Sequence, residues 1–236
     1  MKLDPGFIYD AFLQLLSALP MTLLLTGVPA AGGLLIGTGV AFIRHYRVRG
    51  LHLIVAGYVA FIRGTPALMH LFLVYFGSPV IIDFFARKLG LDFNSASIPI
   101  LYYVFLAFSL TAGAYLSEFI RAGLLAVDKG QVEAAYAVGM TALQAFRRIV
   151  LPQALAVSLP NMTNVVIGLL HGSTLAFTVT VLEVFGKANI VANQNWKYFE
   201  AFIAAAILYW GITILLETAS ARLEKRINRY HRGGVA

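Results

Sequence analysis

The chain contains no cysteine, which excludes a disulfide framework, a thiolate metal site and a cysteine nucleophile. Charge is scarce as well. Asp, Glu, Lys and Arg make up 12% of the 236 residues, against about 25% in an ordinary soluble domain. Eighteen basic and eleven acidic side chains are too few to coat a globule of this size, so a soluble cytosolic enzyme is excluded. Several chemical signatures are missing too: a G-x-x-x-x-G-K-[ST] phosphate loop, an H-E-x-x-H metal helix and a G-x-S-x-G nucleophile elbow. The expectation is a chain that is not an enzyme, with no catalytic residue, no metal site and no cofactor of its own. No internal repeat or flexible linker interrupts it, so residues 1–236 read as one membrane domain.

What is present is apolar sequence, 59% of the chain, arranged in runs long enough to cross a bilayer. Residues 19–43 carry no charge over 25 positions, more than the roughly 20 a helix needs. The run is too long for a cleaved signal peptide, and the charge before it is mixed. Its glycines include Gly33-x-x-x-Gly37, a spacing that admits a second helix at close range. A second region, 51–82, is broken by Arg63. Either residues 51–62 lie at the interface and Gly64 to Ile82 cross, or the span begins near Ile54 and takes an arginine inside. An arginine in hydrocarbon costs at least about 2.5 kcal/mol, which favours the first arrangement; the outer bounds are 54–82. A third span covers about 98–120. The uncharged run 149–182 is too long for one straight crossing, so Pro152 and Pro160 are expected to set off an elbow at 149–160 from a fourth span at 161–182. The fifth, about 196–217, carries Trp196, Tyr198, Tyr209 and Trp210 as interfacial anchors.

Five spans place the termini on opposite faces. One face collects Arg44, Arg47 and Arg49, then Arg121, Lys129, Arg147 and Arg148, then Arg222, Lys225, Arg226, Arg229 and Arg232. The other holds Lys2, Arg87, Lys88, Lys187 and Lys197. By the positive-inside rule the N-terminus is outside and the C-terminus cytoplasmic. That asymmetry accounts for the net charge of +7 without nucleic acid; the partner of the basic tail is the anionic face of the lipid bilayer.

The cytoplasmic loop between spans three and four, residues 121–152, reads as two short helices. Alanines favour helix in Glu133-Ala134-Ala135, Gly139 suits a helix end, and Thr141 suits a cap. Glu133, Ala134, Ala135, Gly139, Ile149, Leu151 and Pro152 stand at the spacing of the EAA loop, and on those residues the chain resembles the permease subunits of bacterial ABC importers. Arg63-Gly64-Thr65-Pro66, and the third-span exit with Glu118 and Arg121, are similar to the polar amino acid branch, so that the resemblance runs from about residue 19 to 222. The chain departs from that pattern in span four, where many relatives have Lys-Asp-Thr-Ser-Leu and this chain has His171-Gly172-Ser173-Thr174-Leu175.

The resemblance implies an all-α membrane protein with the five-span ABC type I importer permease fold, in the bacterial cell (inner) membrane. It implies ATPase subunits docked on the EAA loop as a coupling helix, with ATP and Mg bound by those partners. An extracytoplasmic amino-acid-binding protein and a second permease copy or paralogue would complete the importer. The substrate would be a polar amino acid, cystine or a basic one.

Asn164, His171, Ser173, Thr174 and Thr178 are candidates to line a path, the first, second and last two on roughly one helix face. The competing reading is that His171 packs against another helix and that the hydroxyls bond their own backbone. Glu118 and Arg121 form an i,i+3 ion pair, and Arg63 either snorkels to headgroups or braces a gate. The rival function is an ion-gradient-driven secondary transporter, which would need acidic residues in mid-membrane and no docking loop.

Overall fold

The computed structural model describes residues 3–228; Lys2, Arg229 and Arg232 of the charge count lie outside the described residues. It is all helical apart from turns. Among the described residues five helical stretches are long and apolar enough to cross a membrane: Pro5–His45, Ala67–Lys88, Ile100–Leu125, Ala142–Val179 and Tyr198–Ile227. Many large apolar side chains face outward on these helices, Leu35, Val80 and Leu215 among them. That is the surface a lipid solvent calls for, since hydrocarbon imposes no penalty on an exposed leucine.

The first stretch begins earlier than the charge-free run suggests. Asp4 accepts the Phe7 amide at 3.1 Å and caps α1, Pro5–Leu15. A single 3-10 turn, Leu16–Ala18, leads on into α2, Leu19–His45. Buried Ala11 and Leu15 of α1 pack with Leu170, Val184, Ala204 and Leu208, so α1 is held by side chains far along the chain. Lys197 fastens its start, 2.6 Å from Asp4 and 4.7 Å above the Phe7 ring.

The centre of the bundle is α5, Ile100–Leu125, against which α2 lies at backbone range. A methyl group at Gly33 would stand 2.5 Å from the Ala112 Cβ, and one at Gly37 would stand 2.9 Å from the Gly113 carbonyl. The Gly33-x-x-x-Gly37 spacing is therefore a packing seam: only hydrogen on those two Cα atoms lets the axes approach this closely. Around it Leu25, Leu71, Val104, Ala107, Phe108 and Leu169 form the main core.

Helices α3, Leu51–Gly64, and α4, Ala67–Lys88, meet at Thr65-Pro66, where extended backbone and the missing proline N–H stop the first and start the second. Val59 and Ile62 of α3 pack with Val40 of α2 and Ala114 of α5, and the Tyr58 hydroxyl donates to the Leu110 carbonyl. His70, in the first turn of α4, bonds Thr65 at 2.7 Å and Thr111 at 3.1 Å. Thr111 is near the middle of α5, so α4 begins level with that midpoint and α3 lies beside the half of α5 that leads to Leu125. The break between Leu51–Gly64 and the crossing-length helix Ala67–Lys88 falls where the reading preferred from sequence divides this region, and Arg63, at the end of α3, has a carboxylate to face.

Helix α6 is Lys129–Ala137 and α7 is Ala142–Ala145. One widened turn, Phe146–Val150, joins α7 to α8, Leu151–Gly172. Pro160 does not divide this region as expected from sequence. It sits inside α8, which continues through it, while Pro152 lies in the first turn of α8, directly after the widened turn. Beyond Gly172 the chain tightens to a 3-10 segment, Ser173–Val179, and turns at Thr180, whose φ is 67°. It then re-enters helix as α9, Val184–Asn195. After Trp196 (φ 55°) comes α10, Tyr198–Asn228, which carries Arg222, Lys225 and Arg226 on its last turns. Trp196 and Trp210 are exposed, but Tyr209 is half-buried inside the bundle rather than at an interface.

Candidate functional site

The loop between α5 and α8 is a built structure. Asp128 caps α6 by accepting the Gly130 amide at 2.7 Å. The helix ends at Gly139, whose φ of 81° is a left-handed conformation that favours glycine. Thr141 then opens α7 with a reciprocal capping box: its hydroxyl accepts the Gln144 amide at 3.3 Å and its own amide donates to the Gln144 side chain at 2.8 Å. Ala135 is buried and turns inward, while Glu133, Ala134 and Gly139 face out. Ile149, Leu151 and Pro152 are half-buried at the base, where the widened turn feeds α8.

Two depressions flank this element. One, of about 470 Å³, is walled by Glu133, Lys129 and Tyr136 of α6, by Phe146, and by His45 and Tyr46 at the end of α2. The other, of about 710 Å³, lies between Gln131, Arg148, Ile149, Pro152 and the Arg226 end of α10. Residues of the loop thus share these depressions with the ends of α2 and α10.

Above the loop, Glu118 gathers three arginines. Arg121 is 3.2 Å away on the same helix, Arg63 of α3 is 3.8 Å away, and Arg44 of α2 donates to the same oxygen that faces Arg63. The i,i+3 pair was legible in the sequence, whereas the Arg63 contact was not. Arg44 was counted there only as loop charge, because nothing local links residues 44 and 118. Gly64, Thr65 and Pro66 form the joint that aims Arg63 at this carboxylate, with the Thr65 hydroxyl donating to the Phe61 carbonyl at 2.7 Å.

The residues chosen as path candidates separate into two groups. Asn164 lines a mainly apolar cavity of about 350 Å³ together with Thr111, Tyr115 and Phe119 of α5, Ala67 of α4, and Gly168 and Gly172 of α8. The others are not in it. His171 bonds Thr213 of α10 at 3.1 Å; Thr174 and Thr178 bond carbonyls three residues back at 2.9 and 2.6 Å; and Ser173, fully buried, bonds the Leu170 carbonyl at 2.7 Å.

Sequence reasoning missed two polar positions. His70 proves to be the pin between the α3–α4 joint and α5. Glu183 was passed over because it lies just beyond an expected span end; it is fully buried and caps α9. A single glutamate three residues before a glycine gives only a weak local signal for a cap. Among the described residues no group of three metal-ligating side chains comes together.

Comparison with known proteins gives the same picture from another direction. Residues 33–229 match the family of the binding-protein-dependent transport system inner membrane component. The chain is 37% identical over 230 residues to the probable amino-acid permease protein YxeN of Bacillus subtilis (strain 168), covering 98% of each chain. It is 35% identical to the L-cystine transport system permease protein TcyL of the same organism, covering 96% of this chain and 92% of that one. A crystal structure of an amino acid ABC transporter with histidines superposes with a TM-score of 0.79 at 31% identity, over 96% of this chain and 100% of the other.

Proposed function

From the premise that the chain belongs to the binding-protein-dependent inner membrane components, and is the multi-pass permease subunit of an ABC amino acid importer rather than an ATPase itself, we propose how its parts divide the work. Residues 1–236 form one transmembrane domain with the type I importer permease fold, N-terminus outside and C-terminus cytoplasmic. A second permease, identical or paralogous, closes the path. Helix α6 is the coupling helix: Glu133, Ala134 and Gly139 face a cleft of an ATPase subunit, while Ala135, Ile149, Leu151 and Pro152 tie it to α8. ATP and Mg are held by that partner, and an extracytoplasmic binding protein delivers substrate to the outer loops.

The observation that carries this reading is the exposed, doubly capped helix pair at residues 128–145, which buries two alanines, Ala135 and Ala145, and offers its other face to solvent. A surface loop held by two caps and a glycine hinge is over-determined for a linker. It suits a rigid knob that must transmit force. Arg44, Arg63 and Arg121 around Glu118 brace α2, α3 and α5 against one another as a gate. Asn164 and Thr111 line the path where α5 and α8 diverge, with His171, Ser173, Thr174 and Thr178 shaping its outer reach.

Cystine is the first substrate to test and a basic amino acid such as histidine the second, because relatives described for L-cystine and a structure described with histidines both cover nearly the whole chain. The test is a pulldown of tagged protein from its native membrane, with Glu133→Arg as control. Co-purification of an ATPase that is lost in the control supports the assignment of α6, and labelled L-cystine and L-histidine uptake by the purified complex decides the substrate. Recovery of the ATPase in equal amount with Glu133→Arg overturns the docking role of α6.

A further inference from the structure

Glu183 is fully buried, and no cation lies within 4 Å of it among the described residues. A lone carboxylate in apolar surroundings is costly and persists only when hydrogen-bonded. One of its oxygens accepts the Gly186 amide at 2.8 Å; the other accepts the Phe185 amide at 2.8 Å and the Tyr209 hydroxyl. The two amide bonds cap α9. The third leaves that helix altogether and reaches the middle of α10, 26 residues along the chain. Beside it the Val184 amide donates to the Thr22 hydroxyl of α2 at 3.1 Å. On the far side the Tyr209 hydroxyl stands 3.5 Å from Ser173 Oγ, the first residue of the 3-10 segment.

One carboxylate and one phenol therefore join three elements, the tightened end of the fourth span, α9 and α10, and the adjoining Val184 amide adds α2. The 3-10 segment Ser173–Val179 cannot hold its own position well, because its hydrogen bonds are poorly aligned and runs of this length are uncommon. Its two ends fix it: α8 on one side, and on the other the turn at Thr180 that delivers the chain to Glu183. An aspartate, asparagine or serine would cap α9 equally well. Only the longer glutamate arm caps α9 and bonds Tyr209 as well.

We propose that Glu183 and Tyr209 form a latch at the outer end of the path, with Glu183 a positioning residue that holds Ser173–Val179 against α10 until turnover releases it. The word path rests on the importer reading above; the latch itself rests on these hydrogen bonds. With the latch made, the outer segment moves only as part of the bundle, so opening waits on the ATPases. With it broken, the segment opens on its own and hydrolysis no longer waits for a loaded binding protein.

The absence of cysteine makes the test direct. Thr178→Cys is the only thiol in the permease, introduced alone or with Glu183→Asp, Tyr209→Phe or Glu183→Ala, and each variant is assembled with its ATPase in lipid nanodiscs. The rate of maleimide modification without nucleotide is measured, together with ATP hydrolysis in the absence of binding protein. Aspartate keeps the cap but is one methylene too short for Tyr209, and phenylalanine removes only the hydroxyl. Both are expected to raise both rates about three- to tenfold, the population shift that loss of one net hydrogen bond produces.

If both behave as wild type and only Glu183→Ala differs, Glu183 is a helix cap and the latch is wrong. If only Tyr209→Phe raises the rates, the carboxylate is not the partner that matters and the proposal fails equally. A complex without any ATP hydrolysis would sink the importer reading, while the modification rates would still decide the latch.

Discussion

Arg44 and Glu118 are joined by a salt bridge between α2 and α5 although 74 residues separate them. Glu118 also faces Arg63 and Arg121, so one carboxylate is shared by three guanidinium groups where three helices converge. Removing the single anion leaves the three cations facing one another. Glu118→Gln is expected to destabilise the protein by about 2 kcal/mol, at the low end for a buried pair because the cluster is partly exposed. Thermal unfolding in detergent measures it. Combining Glu118→Gln with Arg44→Met should recover part of the loss, and strictly additive losses would show that the pair is not coupled.

The seam between α2 and α5 gives a sharper contrast. Gly33→Ala puts a methyl group 2.5 Å from the Ala112 Cβ, and overpacking of this kind costs about 1–3 kcal/mol. Gly39 lies on the same helix with nothing within 4 Å of an added Cβ, so Gly39→Ala should be neutral or slightly stabilising. Equal effects of the two on the unfolding temperature would contradict the close approach.

Gly139 separates the two short helices with a φ of 81°. Any side chain there meets a left-handed conformation that costs roughly 1–2 kcal/mol, which the loop avoids by shifting α6 relative to α7. Gly139→Val is therefore expected to leave the helical content measured by circular dichroism unchanged and to weaken ATPase co-purification. Thr141→Ala, which loses one capping bond, should do the same to a smaller extent. Normal ATPase recovery with Gly139→Val would mean that the angle between the helices does not matter for docking.

Most of the architecture was legible in the sequence because it follows from local quantities. Length without charge marks spans, and alanine, glycine and threonine at fixed steps mark the helix pair from Asp128 to Ala145. The illegible parts are those decided by partners distant in the chain. Arg44 reads as loop charge until α5 brings Glu118 to it. Pro160 reads as a break, but the helix around it is supported by its neighbours and runs on. Tyr209 reads as an interfacial anchor by its type, yet Glu183 draws its hydroxyl inward. Helix α1 was missed because Asp10 interrupts its hydrophobicity, while its stability comes from burying Ala11 and Leu15 under α9 and α10.

The start of α1 carries a pH dependence whose sign follows from one ion pair. The Lys197 ammonium donates to the Asp4 carboxylate at 2.6 Å. With the Phe7 amide it holds that carboxyl below its ordinary value of 3.8. A group whose folded value is depressed binds its proton more readily in the unfolded chain. Its contribution is therefore complete above the ordinary value and is lost as pH falls through the depressed one. Residues 5–15 are thus expected to stay docked at neutral pH and to fray below about pH 4, the ordinary carboxylate range, ahead of the rest of the bundle. Hydrogen exchange by mass spectrometry along the chain reads this directly. Lys197→Met should raise exchange in α1 at neutral pH and flatten its acid response, whereas an unchanged acid response in that variant would assign the fraying to a group other than Asp4.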